Sequence, residues 1–245
     1  MESIDNLTLS EIVIKYPFSA NIFEKHRLDF CCGGKKTLSA ACAENGIDVA
    51  GICGELAQAN NQASYRSDKI EFNDMNLSLL IDYIESNHHA YVRNAIPVIQ
   101  AHLQKVVNAH GKNHPEMKKI NEHFDDVADE MAMHMKKEEQ MLFPYIRQMA
   151  ESHNKRHIVE PPAFKTVRNP ISVMEFEHER AGQAMAKIRT ISHNYEPPAD
   201  ACTTFRLCLT ELDEFERDLH KHVHLENNIL FPKAVTIENA LIKVV

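Results

Sequence analysis

The 245-residue chain contains no tryptophan, only seven glycines, and no apolar run approaching the about 18 residues of a membrane-spanning helix. It has no basic stripe, and its net charge is −8, which argues against nucleic acid as a partner. Few glycines beside many Leu, Ile, Met, Glu and Lys residues favour helices over a sheet-rich fold. The sequence therefore predicts an all-α protein with neither a membrane nor a nucleic-acid partner.

The N-terminal residues lack the basic start and apolar centre of a secretory signal peptide. The six cysteines show no regular disulfide spacing, as is typical of a reducing compartment. We therefore expect a cytoplasmic location.

Helix-start and helix-stop signals predict two domains and a linker. Residues 1–60 predict a small helical domain, and residues 61–73 are polar and aperiodic, as expected of a linker. Residues 74–245 predict an up-down four-helix bundle, since they contain two pairs of long helical patterns with short connections inside each pair. The predicted helix caps of the first domain are Thr8 or Ser10, Thr37, and Asp48. The predicted bundle helices are A (74–108), B (115–150), C (170–193, starting at Pro170) and D (198–234), with a long B–C connection at 151–169.

One eleven-residue segment occurs twice in the bundle. The copies start at His134 and His222, 88 residues apart, and share that histidine, a glutamate four residues later, and a closing Leu-Phe-Pro. Residues four apart on a helix lie on the same face. Each copy therefore places an imidazole beside a carboxylate, and two such pairs predict a site for two metal ions.

The ionisable residues of the repeat lie in apolar seams with the alternating three- and four-residue spacing of a buried helix face. A buried carboxylate without a partner is costly, so a glutamate in a seam indicates a bound cation. The seams are Ile120, Phe124, Val127, Met131, His134, Glu138, Met141 and Tyr145 in helix B; Ile171, Met174, His178, Ala181, Met185 and Ile188 in helix C; and Phe205, Cys208, Leu212, Phe215, Leu219, His222, Glu226 and Ile229 in helix D.

Symmetry predicts a histidine on helix A that matches His178. The interval from His178 to His222 is 44 residues, and the same step back from His134 reaches His89 within one residue. Apolar periodicity leaves two choices for this ligand. The apolar residues N-terminal to the two histidines are in register with His88, and the apolar residues C-terminal to them are in register with His89. The first seam is Leu77, Ile81 and Ile84, and the second is Val92, Ile96, Ile99 and Leu103. His89 is preferred, with His88 as the alternative.

Two neighbouring residues are weaker candidates. Glu139 lies off the seam, and its counterpart in the second copy is Asn227. His224 also lies off the seam, with Lys136 as its counterpart. The predicted ligands are therefore His89, His134, Glu138, His178, His222 and Glu226.

Four imidazoles and two carboxylates without a thiolate differ from structural zinc sites and suit iron. If both glutamates bridge two octahedral ions, together with an oxo or hydroxo group, about two coordination positions stay open. We therefore expect two non-haem iron ions with an oxo or hydroxo bridge and room for a small exogenous ligand.

At these residues the chain resembles the hemerythrin-like di-iron proteins and, more closely, the iron–sulfur cluster repair (repair of iron centres) family. Its members join a short N-terminal domain with a Cys-Cys-Gly-Gly motif to a hemerythrin-like bundle. Here the motif is Cys31-Cys32-Gly33-Gly34-Lys35. The other matching positions are 171–175, His178, Gly182, 201–204, 225–228, both Leu-Phe-Pro ends, and Asp82 and Pro97, which place the helix A ligand at His89. The 151–169 connection is longer than in the family.

The resemblance implies a stress protein that restores iron–sulfur clusters damaged by nitric oxide or peroxide, with iron supplied from a labile di-iron centre. It implies damaged iron–sulfur proteins as partners and nitric oxide or oxygen species as small ligands, and it is compatible with a homodimer. The alternatives are a di-iron nitric oxide reductase or scavenger, a hemerythrin-like oxygen carrier or gas sensor, and a scaffold with a structural metal.

Cys31 and Cys32 precede a helix start at Thr37 and lie beside Lys35 and Lys36. The helix dipole and the lysines both favour a thiolate. One interpretation is a redox or iron-transfer thiol, which the resemblance favours; the other is a tight turn with one cysteine packed inside. The remaining cysteines fall in helical patterns and are expected in the core: Cys42, Cys53, Cys202 and Cys208.

Overall fold

A computed structural model describes residues 4–31, 33–63, 72–155 and 162–242. Over these residues the chain is helical and forms no β-strand, so the predicted all-α fold is confirmed. The α-helices are α1 (Leu9–Lys15), α2 (Ser19–Lys25), α3 (Leu38–Asn45), α4 (Val49–Ala63), α5 (Leu77–Tyr83), α6 (Ala90–His110), α7 (Glu116–Lys137), α8 (Phe143–Lys155), α9 (Arg168–Ile191), α10 (Thr203–Leu225) and α11 (Phe231–Ile242). A 3-10 helix covers Ile4–Asn6, and π-helical segments cover Ile84–His89, Glu138–Leu142 and Glu226–Leu230. None of the helices in the described ranges has the length and apolarity to cross a lipid bilayer.

The chain divides into two compact units. The first comprises Met1–Asn76 and His220–Lys233, and the second comprises Leu77–Leu219 and Ala234–Val245. The predicted linker begins inside α4, which continues to Ala63, and residues 64–71 lie outside the described part of the chain. The domain limits drawn from the sequence therefore stay a prediction.

Side-chain caps fix the starts of α1, α3 and α4 in the first unit. The hydroxyl of Thr8 accepts the amide of Glu11, whose carboxylate accepts the amide of Thr8 in return, which completes a capping box. The hydroxyl of Thr37 accepts the amide of Ala40 at the start of α3, and the carboxylate of Asp48 accepts amides at the start of α4. Helices α1 to α4 then close over one apolar core. Its largest buried side chains include Phe23, Phe30, Leu9, Ile12, Leu28, Leu38 and Ile52.

In the second unit, α7 packs against both α6 and α9, and α5 packs against α8. The first part of α10 joins this core through Phe215, whose ring centroid lies 5.2 Å from that of Phe124 on α7. The seams predicted for helices C and D are buried throughout, as is the seam of helix B as far as Glu138. The apolar periodicity thus located the buried faces of these helices correctly.

The buried face of helix B moves by one residue after Glu138. Leu142 and Ile146 are buried where the sequence predicted Met141 and Tyr145, and Met141 is 43% exposed. The reason is the π-helical segment that starts at Glu138, since a π turn contains one more residue than an α turn. The prediction of Met141 and Tyr145 as core residues is therefore wrong.

Several predicted helix limits also differ from the structure. Helix α9 starts at Arg168, which leaves Pro170 in the first turn, where a missing amide hydrogen costs little. Helix α10 starts at Thr203 and not near 198, with the carbonyl of Cys202 accepting the amide of Arg206. The B–C connection is shorter than predicted because α8 continues to Lys155; residues 156–161 of this connection lie outside the described ranges.

Candidate metal centre

Four of the predicted ligands lie together in the second unit: His89, His134, Glu138 and His178. Each is at most 1% exposed. One carboxylate oxygen, Oε2 of Glu138, lies 3.4 Å from Nε2 of His89 and 3.3 Å from Nε2 of His134. Nε2 of His178 lies 2.9 Å from Nε2 of His134. Three helical runs thus aim donor atoms at one buried region.

This donor set fits bound iron. Two ligand nitrogens at right angles on one ion, with bonds of about 2.1 Å, lie about 3.0 Å apart. The two Nε2 atoms of His134 and His178 already have that separation, and their ligand atoms lie within 4.8 Å of one from Glu138. Imidazole with carboxylate is a combination that suits iron. The residues present therefore fit the metal that the sequence predicts.

The second copy of the repeat forms the equivalent pair in the first unit. Nε2 of His222, near the end of α10, lies 3.0 Å from Oε1 of Glu226, and both side chains are fully buried. Glu226 opens a π-helical segment, as Glu138 does in the first copy. The two copies thus share local backbone geometry as well as sequence.

A π-helical segment also explains the two competing seams of helix A. Ile84–His89 adds one residue to the turn, so the seam that leads to His88 and the seam that leads back to His89 are both real. His88 is buried with Nδ1 2.9 Å from Oδ1 of Asp218, whereas His89 points at Glu138. This geometry favours His89 over His88 as the ligand.

Two carboxylates contact predicted ligand histidines from outside the cluster and were missed by the sequence analysis; they are called the outer carboxylates. Oε1 of Glu139 lies 2.7 Å from Nδ1 of His89, and Oε2 of Glu177 lies 3.0 Å from Nδ1 of His134. A carboxylate on Nδ1 holds the proton there and leaves the Nε2 lone pair for an ion. The available signal was position, since Glu139 follows Glu138 and Glu177 precedes His178.

Cations hold both outer carboxylates. Arg93 contacts the two oxygens of Glu139 at 2.8 and 3.1 Å, and Lys137 pairs with Glu177. Burial raises the pKa of Glu139, but hydrogen bonds from Arg93 and His89 outweigh this effect and leave the pKa below its usual value. Hydrogen bonds from His134 and Lys137 lower the pKa of Glu177 to about 2. Both groups are therefore anionic beside the imidazoles.

Cys31, Gly33 and Gly34 lie in a tight turn around Asp29. The amide and thiol of Cys31 donate to Oδ1 of Asp29 at 3.0 and 3.2 Å, and Cys31 is 6% exposed. A Cβ on Gly34 would lie 2.3 Å from the carbonyl oxygen of Phe30, so the turn requires glycine there. The alternative of one cysteine packed inside a turn describes Cys31; Cys32 lies outside the described residues.

Two residues of this segment contact a charged group. The ammonium of Lys36 pairs with Glu44 on α3, and the carboxylate of Asp29 accepts from the thiol of Cys31. That the helix dipole and the lysines favour a thiolate stays a prediction.

His224 packs as a core residue of the first unit. Its ring centroid lies 5.6 Å from that of Phe30, and burial lowers its pKa to about 4. Nδ1 of His224 lies 2.9 Å from the side-chain amide of Asn228. A neutral imidazole with these neighbours agrees with the prediction that His224 is a weak ligand candidate.

The expectation that the four other cysteines lie in the core is correct only in part. Cys42 and Cys208 are buried and Cys53 is half-buried, but Cys202 is exposed. The prediction for Cys202 is wrong because α10 begins one residue later, at Thr203.

Comparison with known proteins gives two family matches. Residues 5–60 match ScdA_N, described as a domain of unknown function, and residues 80–234 match the hemerythrin HHE cation binding domain. The chain is 33% identical to the iron-sulfur cluster repair protein YtfE of Yersinia pseudotuberculosis serotype IB (strain PB1/+), across 94% of this chain and 97% of the relative. Proteins of the same name from Escherichia coli O157:H7 and Escherichia coli O8 (strain IAI1) are 34% identical across the same shares. These matches confirm the resemblance read from the motifs, and the chain belongs to the family of the iron-sulfur cluster repair proteins YtfE.

Proposed function

We propose that this protein repairs iron–sulfur clusters damaged by nitrosative or oxidative stress and that it supplies iron from a labile di-iron centre. The observation that carries the proposal is the buried His/Glu cluster around Glu138, in a chain whose relatives are named iron-sulfur cluster repair proteins. The proposed partners are damaged iron–sulfur proteins, and the proposed location is the cytoplasm.

The proposed site uses all six predicted ligands. The four histidines would hold two iron ions, and Glu138 and Glu226 would bridge them beside an oxo or hydroxo group, as the repeat predicts. Support comes from Oε2 of Glu138, which lies within 3.4 Å of both His89 and His134. Glu226 is its counterpart in the repeat.

Iron is the cargo in this proposal. Two carboxylates and four neutral imidazoles leave positive charge on an iron pair and about two coordination positions open. When bound, the pair would supply Lewis acidity and sites for nitric oxide or an oxygen species. The protein residues keep the donor atoms in place and exclude bulk water, since every predicted ligand is at most 1% exposed.

Cys31 and Cys32 are proposed as the redox or iron-transfer thiols. The support is the turn at Cys31, which needs Gly34 for the close approach to Phe30 and in which Asp29 accepts the amides of Cys31 and Gly33. The turn therefore has more structure than a connection between helices requires.

Iron content tests the ligand assignment. Protein purified without oxygen should carry about two iron ions per chain, and His134→Ala and His222→Ala should each fall well below that value. His153→Ala is the matched control, because His153 is an exposed histidine of α8 outside the cluster. Unchanged iron in both ligand variants, with folded protein by circular dichroism, would contradict the assignment.

A further inference from the structure

A second group of metal-binding side chains lies in the second unit, where the α6–α7 turn meets the start of α10. Nε2 of His110, the last residue of α6, lies 3.2 Å from Sγ of Cys202. Nε2 of His114, in the turn, lies 3.0 Å from Oδ1 of Asp200. None of these residues belongs to the proposed iron site.

The two imidazoles are held in place by one aromatic ring. The ring centroid of Phe205 lies 5.4 Å from that of His110 and 5.3 Å from that of His114, and Phe205 is 1% exposed. The two imidazole centroids are 6.3 Å apart. Two histidines four residues apart thus face the same segment, residues 200–202.

The donor separations suit a tetrahedral ion. Bonds of about 2.1 Å to nitrogen or oxygen and 2.3 Å to sulfur place neighbouring ligand atoms roughly 3.4 to 3.6 Å apart. The His110–Cys202 and His114–Asp200 pairs are already within about 0.4 Å of those separations. Two imidazoles on one tetrahedral ion have centroids about 5 Å apart, so the two pairs must approach by about 1 Å.

Side-chain rotation can supply that movement. No three of the four donor atoms lie within 4.8 Å of one another, so an ion that binds all four must draw the two pairs together. Cys202 is exposed, and the side chain of Asp200 is 59% exposed, which leaves both free to turn toward the histidines.

An outer carboxylate orients one of the histidines. Oε1 of Glu116 lies 2.9 Å from Nδ1 of His114 and leaves Nε2 directed at Asp200. Glu139 has the same relation to His89 in the proposed iron site. Carboxylate–histidine pairs of this kind accompany metal-ligating imidazoles.

We propose that His110, His114, Asp200 and Cys202 bind one zinc-class divalent ion. A thiolate with two imidazoles and one carboxylate favours zinc over iron in a four-coordinate site. On binding, the thiol of Cys202 loses its proton to solvent and its sulfur bonds the ion. The ion links positions 92 residues apart and so ties the α6–α7 turn to the start of α10.

Cobalt tests this site, because a thiolate–cobalt bond gives a charge-transfer band that His/Glu sites do not give. Metal-free Cys31→Ser/Cys32→Ser protein is titrated with Co²⁺ at about pH 8, since Asp200 and Glu116 raise the pKa of His114 and protons compete below that pH. In protein that also carries His134→Ala and His222→Ala, the band and tetrahedral visible absorption should reach their maximum with one equivalent of bound cobalt. Both signals should disappear when Cys202→Ser is added. Cys53→Ser, at a half-buried cysteine of the first unit, is the matched control.

Zinc affinity provides the second measurement. Competition with a chromophoric chelator should give about 10-fold weaker binding for Glu116→Gln and a larger loss for His110→Gln. A thiolate band that survives in Cys202→Ser, or zinc affinity equal in all variants, would overturn the proposal. The metal-free variants should have the same melting temperature as the metal-free wild type. This control distinguishes loss of the metal site from loss of the fold.

Discussion

At the residue scale, both ring nitrogens of His89 and of His134 face a carboxylate. Nε2 faces Glu138 in the buried cluster, and Nδ1 faces Glu139 or Glu177 at the edge of the bundle. Charge-assisted contacts of this kind fix both the tautomer and the ring orientation. Arg93 and Lys137 then offset the added negative charge.

Glu139→Gln should weaken iron retention while the protein stays folded. The amide removes the negative charge behind His89 and the ion pair with Arg93, and loss of such a partner costs about 10- to 100-fold in metal affinity. The measurement is the rate of iron loss to a ferrous chelator. Glu122→Gln, an exposed glutamate on α7, is the control. Equal rates of iron loss for the two variants would contradict a role for Glu139 in iron retention.

Cysteine alkylation separates two residues that the sequence grouped together. Burial raises the pKa of Cys208 to about 12 and the side chain is 0% exposed, so at about pH 8 it should not react with iodoacetamide until the protein unfolds. Cys202 is exposed and should react in the native protein. Mass spectrometry of native and urea-unfolded samples measures the extent of alkylation at Cys202 and at Cys208. Zinc should protect Cys202 if the second metal site is correct, and fast native labelling of Cys208 would contradict its burial.

At the element scale, the three π-helical segments in the described residues occur at predicted ligands. Each contains a predicted ligand, either as its first residue (Glu138, Glu226) or as its last (His89). A π turn is a one-residue insertion in an α-helix and often occurs at functional sites. In helix A its effect is to bury two consecutive histidines, His88 and His89.

Deleting one residue in helix A tests this interpretation. Without Ser86, the seam from Leu77 through His89 to Leu103 alternates four- and three-residue steps without a break. The deletion should therefore keep iron and change the free energy of unfolding by only about 1 kcal/mol, while His88 loses Asp218.

The matched deletion is Asn94, an exposed residue of α6. It rotates the following buried residues by about 100° away from the core, at about 1.5 to 3 kcal/mol for each large apolar side chain. Urea unfolding and iron content compare the two deletions. Equal destabilisation would show that the π segment is not a tolerated insertion.

Apolar periodicity predicted the elements that follow an unbroken α period. The seams of α9, of α7 up to Glu138 and of α10 up to Glu226 needed only that period and a buried face. Met141 and Tyr145 failed because the π segment changes the period, and helix B shows no competing seams like those that mark the π segment of helix A. Cys202 failed because α10 starts at Thr203, five residues after the predicted start at 198, and so leaves Cys202 exposed before the first turn.

At the scale of the whole molecule, the sequence predicted the kind of site better than its surroundings. The repeat identified two His–Glu pairs because identical residues recur at the same spacing. The outer carboxylates Glu139 and Glu177 have no matching carboxylate in the second copy of the repeat, so their role became evident only from the three-dimensional packing. The cluster of His110, His114 and Cys202 joins segments far apart in sequence, so it too required the fold.

Membership of the repair family covers both units, since the relatives match 94% of the chain. A bundle that only stored iron would not need the ordered turn of Cys31 and Gly34 in the first unit. We therefore infer that iron binding and the Cys-Cys segment act in one process, in which iron leaves the His/Glu cluster for a damaged cluster in a partner.

The most direct measurement of that claim follows labelled iron. The protein is loaded with a Mössbauer-active iron isotope and mixed with an iron–sulfur enzyme whose cluster has been damaged by nitric oxide, with sulfide and a reductant supplied. The account predicts that the label appears in the repaired clusters and leaves this protein in matching amount. Clusters that recover with unlabelled iron, while this protein keeps its label, would contradict it.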